Sequence, residues 1–196
     1  MSSRAYDGSD AHPSLSAIDL YLRRRRFIQA LKWIRPGSCV LDIGSSDLAL
    51  FEYAPKYAAS GVGIDPAPRP CVPRDSVELR EGYFPDAVRE GETFDAVVAL
   101  AVIEHIPLDG LRQWAENIPR ALRPGGVFVS TVPSPLVDPI LHALITLRLI
   151  AGMEAHQHYG FRPSHVPRLF SQPGLELIAH KRFQLGLNNL FVFRRQ

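Results

Sequence analysis

The sequence predicts a doubly wound α/β domain: a mostly parallel sheet of seven strands with helices on both faces, closed by an antiparallel C-terminal hairpin. Three observations predict it. Short apolar runs alternate with amphipathic helical stretches, the order from which parallel sheets are wound. The run Ser38-Cys39-Val40-Leu41-Asp42-Ile43 passes into Gly44 and the small polar residues Ser45, Ser46 and Asp47. A second run, Gly61-Val62-Gly63-Ile64, ends in Asp65, about twenty residues beyond that loop, the separation at which a second-strand acid faces a glycine turn.

Residues 1–14 are rich in Ser, Asp, Gly and Pro without periodicity and read as a mobile arm. From 15 to 196 the chain reads as one domain. Residues 15–34 have helical spacing, with Ile18, Tyr21, Leu22, Ile28, Leu31 and Ile34 near one face and Pro36-Gly37 as the stop. The run Arg23-Arg24-Arg25-Arg26 covers a full turn, so its guanidiniums point to different sides. A solvated face is the expected role, with an acidic ligand held by two of the four as the sharper alternative.

The first strand should end at Gly44, which can adopt backbone angles closed to other residues and lets a ligand approach the main chain. Ser45, Ser46 and Asp47 are suitable N-caps for a helix over residues 48–52, whose free N–H groups suit an anion. Asp65, closing the second strand, can accept hydrogen bonds from both hydroxyls of a ribose. The stretch Pro66-Ala67-Pro68-Arg69-Pro70-Cys71-Val72-Pro73 excludes a regular helix. A third strand is expected over 76–80, and a fourth, strongly apolar one over 95–100. The helix over 109–118 should bend or stop before Pro119, and Pro124-Gly125-Gly126 should turn the chain into a fifth strand over 127–132. Strands over 175–182 and 187–194, with Gly186 and Asn188-Asn189 for the turn or a bulge, complete the sheet.

The chain has 196 residues, a net charge of +2 and 21% charged residues. That length suits one α/β domain, and that balance gives no drive toward nucleic acid. Cys39 and Cys71 lack metal-ligand spacing and a disulfide framework, and both are expected as reduced thiols. The N-terminus lacks a signal-peptide pattern, so a cytoplasmic protein is expected. The longest apolar stretch, 136–151, is broken by Asp138, His142 and Arg148 and falls short of the roughly 18 apolar residues that a transmembrane helix requires.

These features resemble the class I S-adenosylmethionine-dependent methyltransferases. The resemblance begins with the run ending Leu41-Asp42-Ile43-Gly44, where the family's two further glycine positions hold Ser46 and Leu48. Phe94-Asp95-Ala96-Val97-Val98-Ala99-Leu100-Ala101-Val102-Ile103-Glu104-His105-Ile106 is similar to the family's fourth strand and Glu-His segment, and Leu122-Arg123-Pro124-Gly125-Gly126 to the turn before the fifth. The resemblance implies a Rossmann-like fold and S-adenosylmethionine as cofactor, held by Asp42, Gly44, Ser45, Ser46, Asp65, Pro66 and Leu100, with Gly82, Tyr83 and Phe84 beside the adenine. Tyr83 stands where many members carry an aspartate. A short-chain dehydrogenase fits less well, since no Tyr-x-x-x-Lys pair is present. A binding or scaffold protein that keeps the shell is the alternative from another class.

Methyl transfer from a sulfonium needs alignment above all, and a base only where the acceptor is protonated. His105, His158 and Tyr159 are the candidates for that base. Either glutamate or histidine in the Glu104-His105 pair could equally serve a helix end. His156 and His158 have no Cys or other His close in sequence and few carboxylates, so no metal site is expected. Residues 134–171, and above all 136–159, form an expected cover over the acceptor, because Leu141, Leu144, Ile145, Leu147, Leu149 and Ile150 make an apolar surface too broad for one stripe. The acceptor is expected to be a small molecule, a saccharide or a lipid-linked compound. A homodimer contact is the second use of that surface.

Overall fold

The computed structural model describes residues 17–72, 75–134 and 162–196. In chain order these form α1 (Ala17–Leu31), β1 (Ser38–Ile43), α2 (Ala49–Tyr53), β2 (Ala58–Asp65), β3 (Val77–Glu81), β4 (Phe94–Leu100), a 3-10 turn (Ile103–His105), α3 (Leu108–Ala121), β5 (Leu122–Pro133), α4 (His165–Phe170), β6 (Leu175–Phe183) and β7 (Asn188–Arg195). The sheet has the order β3-β2-β1-β4-β5-β7-β6. β1 to β5 pair in parallel, and β7 runs antiparallel between β5 and β6. The seven-stranded, mostly parallel sheet expected from the sequence is thus present.

Alternation along the strands sorts the core into two layers. Val40, Ala96, Val98, Val129 and Val192 pack against Phe27 and Ala30 of α1 and Leu50 and Phe51 of α2. Leu41, Ile43, Val97, Ala99 and Phe128 pack on the other face against Leu111, Trp114 and Ile118 of α3 and Phe170 of α4. Strands buried on both sides must be apolar at nearly every position, which is why β1 and β4 were readable from composition. Strand order reverses between β1 and β4, and the C-terminal ends of these two strands open a crevice.

Several elements differ from expectation. β2 begins at Ala58 rather than 61, and β5 at Leu122 rather than 127, so that Pro124-Gly125-Gly126 lies within β5 where its pairing with β4 shifts register instead of forming a turn before it. α1 ends at Leu31 rather than at 34, because the chain tightens there into a turn in which the Trp33 N–H reaches the Ala30 carbonyl at 3.0 Å. α2 begins one residue late: Leu48, not Ser45, Ser46 or Asp47, is its N-cap, in the left-handed conformation at φ 56° and without a side-chain cap. Asp47 still accepts the Ala49 N–H at 3.3 Å. With only five residues, α2 offers little of the anion-binding terminus expected of it. α3 continues through Pro119 to Ala121 instead of stopping. Proline at 119 leaves the Ala115 carbonyl without its helical donor, and the side-chain amide of Gln172 donates to that carbonyl instead.

Candidate active site

The crevice is built where β1, β2 and β4 end. Gly44 leaves β1 at φ 82°, and its N–H and that of Ser45 both reach the Ile64 carbonyl, at 2.8 and 3.1 Å. The proline-rich stretch is tied to the same loop by the Arg69 N–H on the Ser46 carbonyl at 2.6 Å. A Cβ on Gly44 would lie 2.5 Å from Val102 Cγ2, so a side chain here would collide with the segment after β4. Ala101, in that segment, is held in the left-handed region at φ 60°, its N–H bonded to the Thr131 carbonyl at 3.0 Å. A non-glycine residue kept there costs energy, and such strain concentrates at functional sites.

Two cavities share Ile43 and Gly44. The larger, about 400 Å³, is lined by Asp65, Pro66, Gly82, Tyr83 and Phe84, with His105 and Trp114 opposite. The Asp65 Oδ1 accepts the Ala67 N–H at 2.8 Å, which fixes the carboxylate at the strand end. Phe84 is buried edge-on against Trp114 at 5.4 Å, whereas Tyr83 is 67% exposed at the rim. The smaller cavity, about 250 Å³, is lined by Asp42, Ser45, Ser46 and Leu100 from the sheet side, and by Asp19, Arg23 and Arg26 from α1. All ten residues assigned to the cofactor from sequence therefore line one cavity or the other, and His105 joins them. His158 and Tyr159, like residues 136–159 of the expected cover, lie outside the described residues. Within the remainder of residues 134–171, α4 is core: Phe170 packs against Phe128 and Phe193 at 5.1 and 5.9 Å.

The arginine run is only in part the solvated face expected of it: Arg24 is exposed, whereas Arg23 and Arg26 turn toward the smaller cavity. Arg23 pairs bidentately with Asp47, one contact being Nη1 to Oδ2 at 2.8 Å, and its guanidinium lies 5.6 Å from the Phe27 ring. Against the cost of burial, that pairing holds the Asp47 carboxyl below its ordinary range. Arg26 spends Nε on the Leu22 carbonyl at 3.4 Å and lines the smaller cavity, where burial pulls its pKa down and Glu104 opposes that. Helical spacing showed that the four arginines diverge. It could not show which of them turn inward, because that depends on how α1 is rotated on the sheet.

Two buried acids flank the crevice. Burial pushes the Asp42 carboxyl up to about 7, while Ser45 and Arg23 favour its ionised form. Ser45 is close, but its hydroxyl has no partner of full hydrogen-bond geometry. Glu104 is also raised to about 7 by burial, opposed by its own backbone and by Arg26. It lies in the 3-10 turn before α3, not within an early helical turn.

A methyltransferase-domain family matches residues 17–182. The chain belongs to the class I S-adenosylmethionine-dependent methyltransferases. It is 31% identical over 174 residues to a ubiquinone biosynthesis O-methyltransferase of Burkholderia pseudomallei, covering 77% of this chain and 72% of the relative. The enzyme of the same name from Azorhizobium caulinodans is 30% identical over 131 residues, and the match spans 62% of this chain and about half, 51%, of that relative. Among solved structures, the N-methyltransferase NodS of Bradyrhizobium japonicum in complex with S-adenosyl-L-homocysteine superposes with a TM-score of 0.62 at 17% identity, over 89% of this chain and 87% of NodS. Magnesium protoporphyrin IX methyltransferase of Synechocystis with bound S-adenosylhomocysteine gives 0.62 at 12% identity, over 94% and 90%. At such identities the structures speak for the fold, which they share with this methyltransferase.

Proposed function

We propose that this methyltransferase transfers the methyl group of S-adenosylmethionine to a hydroxyl of a small acceptor. The observation that carries the reading is the meeting of Asp65, Gly44 and the inward face of α1 around two cavities that share Ile43 and Gly44 as walls. The residues fit the cofactor. Asp65 would take the ribose hydroxyls, Tyr83 and Phe84 would flank the adenine, and the backbone at Gly44 would lie under the chain between the two ends. In the smaller cavity Arg26 would take the carboxylate and Asp42 the ammonium. Bound there, S-adenosylmethionine supplies an electrophilic methyl on a good leaving group.

Ser46 and Leu48, which stand at two glycine positions of the family pattern, do not close the site. Leu48 is 3% exposed and lines neither cavity, and Ser46 forms part of the smaller cavity's wall. The scaffold reading rested on those two positions and loses its support. The chain's own task is to orient the acceptor, exclude water and remove a proton. His105, on the wall of the larger cavity, is the proposed base. O-methylation is favoured over N-methylation because the relatives near 30% identity are named O-methyltransferases.

Calorimetric titration with S-adenosylhomocysteine, followed by a methyl-transfer screen of hydroxylated aromatics against amines, tests the proposal. Asp65→Ala should weaken binding at least tenfold, since charge-assisted hydrogen bonds contribute roughly 1.5–3 kcal/mol each. Unchanged affinity would remove Asp65 from the site, and transfer to amines alone would overturn the O-methyl assignment.

A further inference from the structure

Glu104 is 3% exposed, and its Oε2 has no hydrogen-bond partner. A carboxylate taken from water without compensating donors is costly unless it is protonated or faces a cation. The charged group that acts on it is Arg26 of α1, which makes no hydrogen bond to Oε2. Arg26 also lines the cavity beside Gly44, Ser45 and Ser46, so the side chain whose charge acts on this buried acid also borders the ligand space.

We propose that Glu104 is a positioning residue that links capture of the cofactor's carboxylate to proton uptake: when that carboxylate pairs with Arg26, Glu104 becomes more fully protonated, drawing the difference from solvent. The inference rests on the cofactor reading above. The two carboxylates compete for one guanidinium. Ionised Glu104 draws on the field of Arg26, whereas protonated Glu104 leaves it wholly to the ligand and adds no like charge nearby. The position of Glu104's titration, near neutral, makes both forms available at physiological pH.

The other charged groups around this point sharpen the test. On α1, Asp19 and Arg23 line the same cavity, and Arg23 is already paired with Asp47. From β1, Asp42 is the second acid on that cavity and titrates near neutral as well. His105 follows Glu104 in the turn and faces the other cavity. β5, which packs against the turn, contributes the non-titrating Ser130 and Thr131, and Asp109 of α3 is paired with Arg112 at 3.0 Å. Asp42 would answer the ligand's ammonium by releasing a proton, the opposite sign from Glu104. Its contribution is present in wild type and in Glu104 variants alike, so it cancels in the difference.

The experiment is calorimetry of S-adenosylhomocysteine binding at about pH 7 in two buffers of different ionisation enthalpy, which gives the protons exchanged per ligand bound. Wild type should take up more protons than Glu104→Gln, by about a third of a proton for a rise of 0.5–1 pH unit in Glu104's titration. Arg26→Gln keeps the acid but removes its link to the ligand, so it should lower the proton number too, and it serves if Glu104→Gln does not fold. With 5′-methylthioadenosine, which lacks the carboxylate, wild type and Glu104→Gln should exchange equal numbers of protons. Equal proton numbers for wild type and both variants with S-adenosylhomocysteine overturn the proposal while leaving the cofactor reading intact. If wild type does not bind S-adenosylhomocysteine at all, the cofactor reading fails first and takes this inference with it.

Discussion

Leu48 and Gly63 occupy one another's space: the Leu48 Cδ2 lies 2.6 Å from where a Cβ on Gly63 would stand. Leu48 is a bulky residue at φ 56°, a conformation that costs roughly 1–2 kcal/mol outside glycine. The cost is offset because its side chain is fully packed in the layer beneath α1 and α2. Leu48 thus fits at this point of the loop because the facing position of β2 carries no side chain.

The first prediction is a coupled pair. Gly63→Ala should destabilise the protein by about 1–3 kcal/mol through overpacking against Leu48 and Ser45. In a Leu48→Ala background, itself costing about 2–5 kcal/mol as a cavity, the same change at 63 should cost less. Denaturant unfolding of the four proteins gives the coupling energy, and strict additivity would show that the two residues do not share the space.

That relationship marks the limit of what the sequence discloses. β1 and β4 were legible because strands covered on both faces are apolar almost throughout, and Asp42, Gly44 and Asp65 because strand ends in this topology project into a crevice. Leu48 was legible only as a departure from a pattern, since its compensation lies at Gly63, in another strand. Asp19 was missed, and Arg26 was named only as one of the four arginines of which two could hold an acidic ligand, for a related reason: four consecutive arginines spread around a helix, and only the packing of Phe27 and Ala30 on the sheet decides which of them faces the cavity. Pro119 misled because its usual effect on a helix was repaired by a residue remote in sequence.

Gly44 carries the second prediction. At φ 82°, with Val102 Cγ2 2.5 Å from an added Cβ, it has neither conformational nor steric room. Gly44→Ala should lower stability by about 1–3 kcal/mol and weaken S-adenosylhomocysteine binding markedly, while Gly44→Val should abolish binding. Parental melting temperature and affinity in Gly44→Ala would mean that the loop does not approach the ligand.

The third prediction concerns pH and stability. Glu104 ionises at an ordinary value of 4.5 in the unfolded chain and at about 7 in the fold. The folded state therefore holds the proton more tightly between those values, and stability falls as pH rises through that window, levelling off above it. Asp42, raised from 3.8 to about 7, acts in the same direction. Glu104→Gln removes one of these contributions. Relative to wild type it should gain about 1–3 kcal/mol in unfolding free energy between roughly pH 4.5 and pH 8. Denaturant titrations across that range measure the difference, and a pH-independent offset between the two proteins would show that Glu104 stays in one protonation state throughout.

The last prediction joins Pro119 and Gln172. Pro119 cannot donate to the Ala115 carbonyl, so a helix continuing through it to Ala121 leaves a polar group on the core side of α3 without its backbone partner. The side-chain amide of Gln172, which follows α4, donates to that carbonyl and ties the two helices together. Gln172→Ala should thus cost about 1–3 kcal/mol, the expense of leaving a buried carbonyl unsatisfied. Pro119→Ala restores an N–H at the position from which the helix itself can supply the bond. In that background the loss of Gln172 should cost clearly less, whatever Pro119→Ala does alone. Thermal or denaturant unfolding of the single and double variants decides the matter. An equal cost of Gln172→Ala in both backgrounds would mean that the amide stabilises the end of the sheet by its packing, and that the carbonyl of Ala115 is satisfied some other way.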